Sequence, residues 1–336
     1  MSVNLKYYVL LFISLFAFSQ IKSQDIHFSS LNFNPMFTNP SYTAFMNSKF
    51  RVSSIYRNQW STVSKGYNTF LASVEYQPYL SSNSRSGIGI GLMFVNDVAG
   101  TLSYGEQDIG LSLSYFFALN RDKNAYISVG VSAKKDTWGY NSSNADFNRE
   151  GIYDDDIRYE DLSTYSFASG LSFQYSPTND KQFQLGVAMF NINEPYLSYF
   201  ESKNSVDKIH RRYSLNASYM FATTESFSLK PQLLINQQYK YNEFIIGTDF
   251  IFNLTDAIFT SQIFSMGVYL RNTESIILSP KYKYNNFLIG LSYDVNVSKL
   301  SKVSNTYGGL ELWLSYSFDP IYKYKNKNTK IPCPIF

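Results

Sequence analysis

From Asn47 onward the chain is built of long segments in which apolar side chains occupy every second position. Ile88, Ile90, Leu92 and Phe94 alternate with Gly87, Gly89, Gly91 and Met93. Ile109, Leu111, Leu113, Tyr115 and Phe117 alternate with Gly110, Ser112, Ser114 and Phe116. The same dyad recurs over Ile127, Val129, Val131 and Ala133, and over Tyr165, Phe167, Leu171, Phe173 and Tyr175. A period of two is the period of a β-strand, so each segment has one apolar face and one small or polar face.

The pattern predicts fourteen strands, at 49–59, 67–79, 85–96, 103–118, 125–136, 163–176, 181–192, 210–222, 225–237, 241–252, 257–270, 274–283, 286–297 and 306–318. Globular strands average about five or six residues, whereas a tilted strand needs about nine to eleven to cross a bilayer. Most of these segments reach the longer figure. A strand with a lipid-facing side cannot leave backbone groups unpaired in hydrocarbon, so the sheet has to close.

The connections sort by parity. Even-numbered ones are short and rich in turn formers: Asn120 to Asn124, Pro177 to Asp180, Ala222 to Glu225, and Asn253 to Asp256. Two odd-numbered ones are long, Thr137 to Leu162 and Asn193 to Ile209. Short periplasmic turns and longer external loops mark outer-membrane barrels. The expected fold is therefore all-β, a transmembrane antiparallel up-and-down barrel with both mature termini periplasmic.

Composition agrees. With 29 Tyr and 28 Phe the chain is 18% aromatic and only 16% charged, which suits strands and rings settled at a lipid–water boundary. The mean hydropathy of −0.21 fits a barrel, in which only alternate residues meet lipid. Phe318 ends the last strand where an interfacial aromatic is expected.

Four regions follow. Residues 1–23 read as a signal peptide: Lys6, an apolar run from Tyr7 to Phe18, then polar residues ending at Ser23. Residues 24–47 carry Phe28, Leu31, Phe33, Met36 and Phe37 without a strand period, and either plug the barrel or pack beneath it. The barrel occupies 48–319. Residues 320–336 form a basic periplasmic tail. Its Lys323, Lys325, Lys327 and Lys330 interleave with Tyr322 and Tyr324, but no nucleic-acid-binding motif accompanies them and the net charge is only +3.

Little here points to chemistry. The single cysteine, Cys333, excludes an internal disulfide and a cysteine metal cluster. The only histidines are His27, in the leading segment, and His210, beside Arg211 and Arg212 at a strand start. Neither has the neighbours that would activate a nucleophile. Asp154, Asp155, Asp156, Glu160 and Asp161 lack calcium-loop spacing and read as a solvated external loop. Gly87, Gly89 and Gly91 open no helix, which excludes a phosphate loop. No catalytic residue, cofactor or metal site is expected.

With the apolar face on lipid, Glu75, Lys134, Arg212, Asp249 and Glu311 point into the lumen among Gly, Ser and Ala. Fourteen strands lined by small residues and sparse charge should leave room inside, for a polypeptide segment or for solutes.

The two ends of the chain resemble those of a known family. Phe33-Asn34-Pro35-Met36-Phe37-Thr38-Asn39-Pro40-Ser41-Tyr42 followed by Tyr56-Arg57-Asn58-Gln59-Trp60 is similar to the start of the PorP/SprF family of the type IX secretion system. Tyr293 to Ser298, Gly308 to Leu312 and Ile331 to Phe336 are similar to its end. The sequence departs from the pattern at Ser41-Tyr42-Thr43-Ala44, where the family has Ala-Tyr-Ala-Gly, and at Ile335, where a basic residue is usual. The resemblance implies an outer-membrane, non-enzymatic component of Bacteroidetes-type bacteria that engages, retains or helps export a secreted cell-surface adhesin in gliding or adhesion. Its partners would be that adhesin, type IX components and outer-membrane lipid. The matching Asn34, Pro35, Asn39, Pro40, Arg57 and Trp60 are candidate partner contacts, with a structural role in positioning the first strand as the alternative. A pore or transporter for small solutes is the other functional reading.

Overall fold

The computed structural model describes residues 25–31, 33–59, 66–78, 86–100, 104–139, 162–178, 180–197, 208–257, 260–272, 275–297 and 306–319. The expected signal peptide, Trp60, the acidic residues at 154–161 and the expected basic tail with Cys333 lie outside them.

Fourteen antiparallel strands close into a barrel in chain order. They are β1 (Phe50–Gln59), β2 (Tyr67–Tyr76), β3 (Ser86–Ala99), β4 (Tyr104–Ala118), β5 (Ala125–Gly139), β6 (Leu162–Thr178) and β7 (Lys181–Phe190), then β8 (Arg212–Ala222), β9 (Phe227–Gln238), β10 (Tyr241–Ala257), β11 (Thr260–Arg271), β12 (Ser275–Tyr284), β13 (Phe287–Asn296) and β14 (Tyr307–Phe318). The barrel closes where β1 pairs with β14, from Phe50↔Phe318 to Gln59↔Gly309. One turn differs from expectation. Asn253, Thr255 and Asp256 continue β10 and pair with β11, with Leu254 the extra, exposed residue at the register shift between them.

The dyads decide which face is which. Ile88, Leu92, Ile109, Leu111, Val131 and Phe167 are exposed on the outside, while Ser112, Ser114, Ser128 and Ser166 are buried within. Aromatic rings gather at the short-turn end: Phe50 stacks on Tyr76 at 4.6 Å and on Phe318 at 5.3 Å, and Tyr219 on Phe221 at 5.6 Å. Such a ring of amphipathic side chains belongs at a membrane interface.

The leading segment lies inside the barrel. Two Asn-Pro pairs shape it. Asn34 caps α1 (Pro35–Thr38), its side-chain oxygen accepting from the Phe37 N–H at 3.2 Å. Asn39 caps the 3-10 turn Pro40–Tyr42, accepting from the Ser41 N–H at 2.9 Å. In each case proline takes the first helical position, where its missing N–H costs nothing. These short turns satisfy the segment's backbone without a neighbouring strand, which is how non-strand chain is accommodated inside a barrel.

Inward glycines make the space. A Cβ at Gly89 would overlap the Thr43 carbonyl, at Gly130 the Pro40 carbonyl, and at Gly170 the Asn39 side chain. Gly91 and Gly186 clear Met36 and the Tyr42 hydroxyl in the same way. The lumen is therefore occupied by the leading segment. Apolar side chains of the segment complete a small interior core, with Phe28 and Phe33 packed among Ile55, Leu71, Val95 and Trp313.

The segment also spans the barrel lengthwise. Lys49 leads into β1 at the short-turn end, whereas Asp25 sits against Asn191, Arg212 and Gln238 at the end carrying the two long connections. The expectation that the leading residues share the side of the short turns is not met at Asp25. Its side chain finds its hydrogen-bonding partners only at the opposite rim.

Candidate functional site

Among the described residues the polar interior divides into five charge groups, three of which hold the segment. The most elaborate surrounds Ser29 and Ser30. Glu311 on β14 accepts the Ser29 N–H at 2.6 Å and the Ser30 N–H at 3.0 Å, one on each carboxylate oxygen. Arg57 on β1 donates to Glu311 at 2.7 Å, to the His27 carbonyl at 3.0 Å and to Ser29 Oγ at 3.2 Å. Ser29 Oγ donates to Asp294 on β13 at 2.7 Å, and Arg271 on β11 donates to Asp294 at 2.8 Å and to Ser29 Oγ at 2.9 Å. Arg271 also lies 3.3 Å from Glu243 on β10. A clasp of opposite charges, buried and mutually hydrogen-bonded, thus grips two consecutive backbone amides. Charge-assisted bonds of this kind are roughly twice as strong as neutral ones.

A second group lies lower. Glu75 is fully buried, accepts the Ala44 N–H at 2.7 Å and takes two bonds from Arg51, both at 2.7 Å. Around it Thr43 Oγ1 meets Ser112 Oγ at 2.6 Å, and Ser114 and Ser128 donate to the carbonyls of Thr43 and Ser41 at 2.7 and 2.6 Å. At the long-loop rim Arg212 pairs with Asp25 at 3.4 Å and lies over the Phe190 ring at 4.1 Å.

Asp249 belongs to the fourth group, in the wall itself. It receives Lys281 on both oxygens at 2.7 Å, Tyr269 OH at 2.5 Å and Gln232 at 2.8 Å. This brace joins β9 to β12, and Leu31 of the segment packs against the apolar cluster that includes its Tyr269.

Lys134 sits near the rim, 3.0 Å from Asp108 and Asp136 and 3.8 Å from Glu106. The three carboxylates are close enough together to suggest a metal site. The ammonium among them already supplies a cation, and the arrangement reads as an ion-pair network. A cavity of about 60 Å³ lies beside it, bounded by Asp25, Phe37, Met93, Glu106, Lys134 and Arg212. Two others of about 30 and 40 Å³ flank the segment against β8 and β9. Each has room for a few waters.

All five charges expected inside are within the barrel. Of the family-motif positions, Asn34 bonds Ser73 Oγ at 2.8 Å, and Asn39 donates to the Val187 carbonyl at 3.1 Å, so both fasten the segment. Pro35 and Pro40 start its two turns, and Arg57 holds it from the wall. The interior charge is not sparse. Glu243, Asp294, Arg271, Asp108 and Asp136 share the inward faces, and three of them stand an even number of residues from a residue expected there: Glu243 from Asp249, Asp108 from Ser112 and Asp136 from Lys134. Extending the dyad would have found those three.

The histidines take separate places. His210 stacks on Tyr239 with centroids 4.3 Å apart. His27 lines a cavity with Glu243 and Arg212. Burial lowers its imidazole to about 4, and Arg57 and Arg271 act in the same direction against the pull of Glu243.

A closed fourteen-strand barrel with an aromatic rim, an apolar outer face and an internal polypeptide segment defines an outer-membrane β-barrel whose lumen is filled by its own chain. The sequence matches the family model described as type IX secretion system membrane protein PorP/SprF over residues 20–316, and the chain belongs to that family. No curated protein matches it. In fold it is similar to the crystal structure of the Ralstonia pickettii toluene transporter TbuX, with TM-score 0.50 and 10% identity over 84% of this chain and 93% of that one. A Pseudomonas aeruginosa FadL homologue gives TM-score 0.49 and 11% identity over 84% and 93%. These likenesses concern the barrel architecture alone.

Proposed function

We propose that this outer-membrane component of type IX secretion engages a secreted cell-surface adhesin, retaining it or helping its export in gliding or adhesion. The observation that carries this reading is the lumen, filled by residues 25–46 and locked by the Glu311 and Glu75 bonds. A barrel blocked by its own chain is poorly suited to passing solutes. Its work then falls on the surfaces it offers to other proteins, in keeping with its family. The family-motif residues Asn34, Pro35, Asn39, Pro40 and Arg57 act in this proposal by holding the segment in place, upstream of any partner contact.

The test is a mild-detergent pull-down of the tagged barrel with identification of co-purifying proteins, run beside single-channel recording of the purified barrel. A large secreted surface protein in the eluate and a silent bilayer are expected. Recovery of the barrel alone together with steady ion conduction would favour the solute-pore reading instead.

A further inference from the structure

We infer that the segment filling the barrel enters from the external mouth, so that its leading described residues lie at the outer face of the membrane. The partners of Asp25 to Ser30 all stand near one rim. Gln238 is the last residue of β9, Arg212 the first of β8 and Arg271 the last of β11. Asn191 directly follows β7, and Asp294 and Glu311 flank the β13–β14 connection. This rim also carries the connections at 140–161 and 191–211, the longest in the barrel.

Residues 41–45 lie lower, against Ser128, Ser114, Ser112, Phe116 and Glu75. Arg57 holds the upper part and Arg51, through Glu75, the lower part. These two arginines are six residues apart on β1, about 20 Å at the usual strand rise. The segment therefore descends the lumen before the chain turns up again into β1.

In outer-membrane barrels the longer loops face outward and the short turns the periplasm. Asp25 and Ile26 are then on the outer side, beside the cavity bounded by Glu106, Lys134 and Arg212. The end joined to β1 is reached only from the periplasm. The inference concerns the segment's direction and holds whether or not an adhesin is the partner.

Epitope insertion before Asp25 tests it, with the same epitope in the 140–161 connection and in the Asn285-Asn286 turn as references. Antibody is expected to stain the first two on intact cells and the third only after the outer membrane is permeabilised. Staining of the Asp25 insertion only after permeabilisation, or of the Asn285-Asn286 insertion on intact cells, overturns the inference.

An epitope large enough to unseat the segment is bypassed by a second measurement. With Cys333→Ser removing the native thiol, Asp25→Cys and Asn191→Cys, whose native side chains lie 3.1 Å apart, should be joined as a disulfide by a mild oxidant in the folded barrel. Failure to join them in protein that retains its folded gel mobility overturns the placement.

Discussion

Arg57 and Glu311 face each other in register across the β1–β14 seam, their side chains 2.7 Å apart and almost wholly buried. One ion pair thus serves two purposes. It bridges the strand pair that closes the barrel, and it presents a carboxylate to the Ser29 and Ser30 amides and a guanidinium to the His27 carbonyl. Closure of the sheet and seating of the segment are coupled through these two residues.

Removing one partner leaves the other charge buried without its nearest counter-charge, although Arg57 keeps Asp294 at 3.7 Å and Glu311 keeps the Ser29 and Ser30 amides; breaking a buried pair typically costs about 3–5 kcal/mol. Arg57→Ala and Glu311→Ala are each expected to destabilise the folded barrel by roughly that amount. The double variant should cost less than the sum. Denaturant titration followed by the folded-to-unfolded gel shift measures all three. Additive losses would show that the pair is not coupled.

Ala44 adopts a left-handed backbone with φ 50°, fully buried, at the position where the family pattern has glycine. That conformation costs a residue with a Cβ roughly 1–2 kcal/mol. Ala44→Gly should therefore raise stability, by about 0.5–1 kcal/mol after the greater freedom of glycine in the unfolded chain is counted. Ala44→Val should lower it. The same titration reads both, and a loss on Ala44→Gly would contradict the strain.

The glycine track is expected to be intolerant of side chains. Gly130→Ala places a carbon on the Pro40 carbonyl, an overpacking expected to cost about 1–3 kcal/mol. The outward Val131→Ala, one position away, should leave the segment in place. Limited proteolysis of the refolded barrels, mapped by mass spectrometry, should show cuts within 25–46 in the first variant and not in the second.

Acid should loosen the segment through His27. Its imidazole is held near 4 in the folded protein, against about 6.5 when unfolded. Between these values the unfolded chain takes up a proton that the folded one refuses. Stability present above about pH 6.5 is thus lost progressively as pH falls towards 4. His27→Gln is expected to flatten this part of the stability profile. Identical profiles for the two proteins would remove His27 from the acid response.

Loss of a cap should be milder. Asn34→Ala removes the acceptor for the Phe37 N–H and the bond to Ser73, at about 1 kcal/mol for the cap. Asn39→Ala should cost more, because its amide reaches two wall carbonyls, Leu171 at 3.4 Å and Val187 at 3.1 Å, against the single wall bond of Asn34. Equal losses would show that the second wall bond adds nothing.

The alternation of Ile88, Leu92 and Ile109 with glycine and serine settled the strands, their number and the face each residue takes. Those are local consequences of a two-residue period, readable wherever one face meets an apolar medium. The same parity identified Glu75, Lys134, Arg212, Asp249 and Glu311 as inward. The course of residues 25–46 was not readable, because a segment without a period carries no signal of what it packs against. Nor was the union of Arg57 with Glu311, 254 positions apart. Only closure of the sheet brings β1 to β14 and sets Gly89, Gly130 and Gly170 opposite the turns that the two Asn-Pro pairs begin. Non-local pairing decides which small residues are vacancies to be filled, and by what.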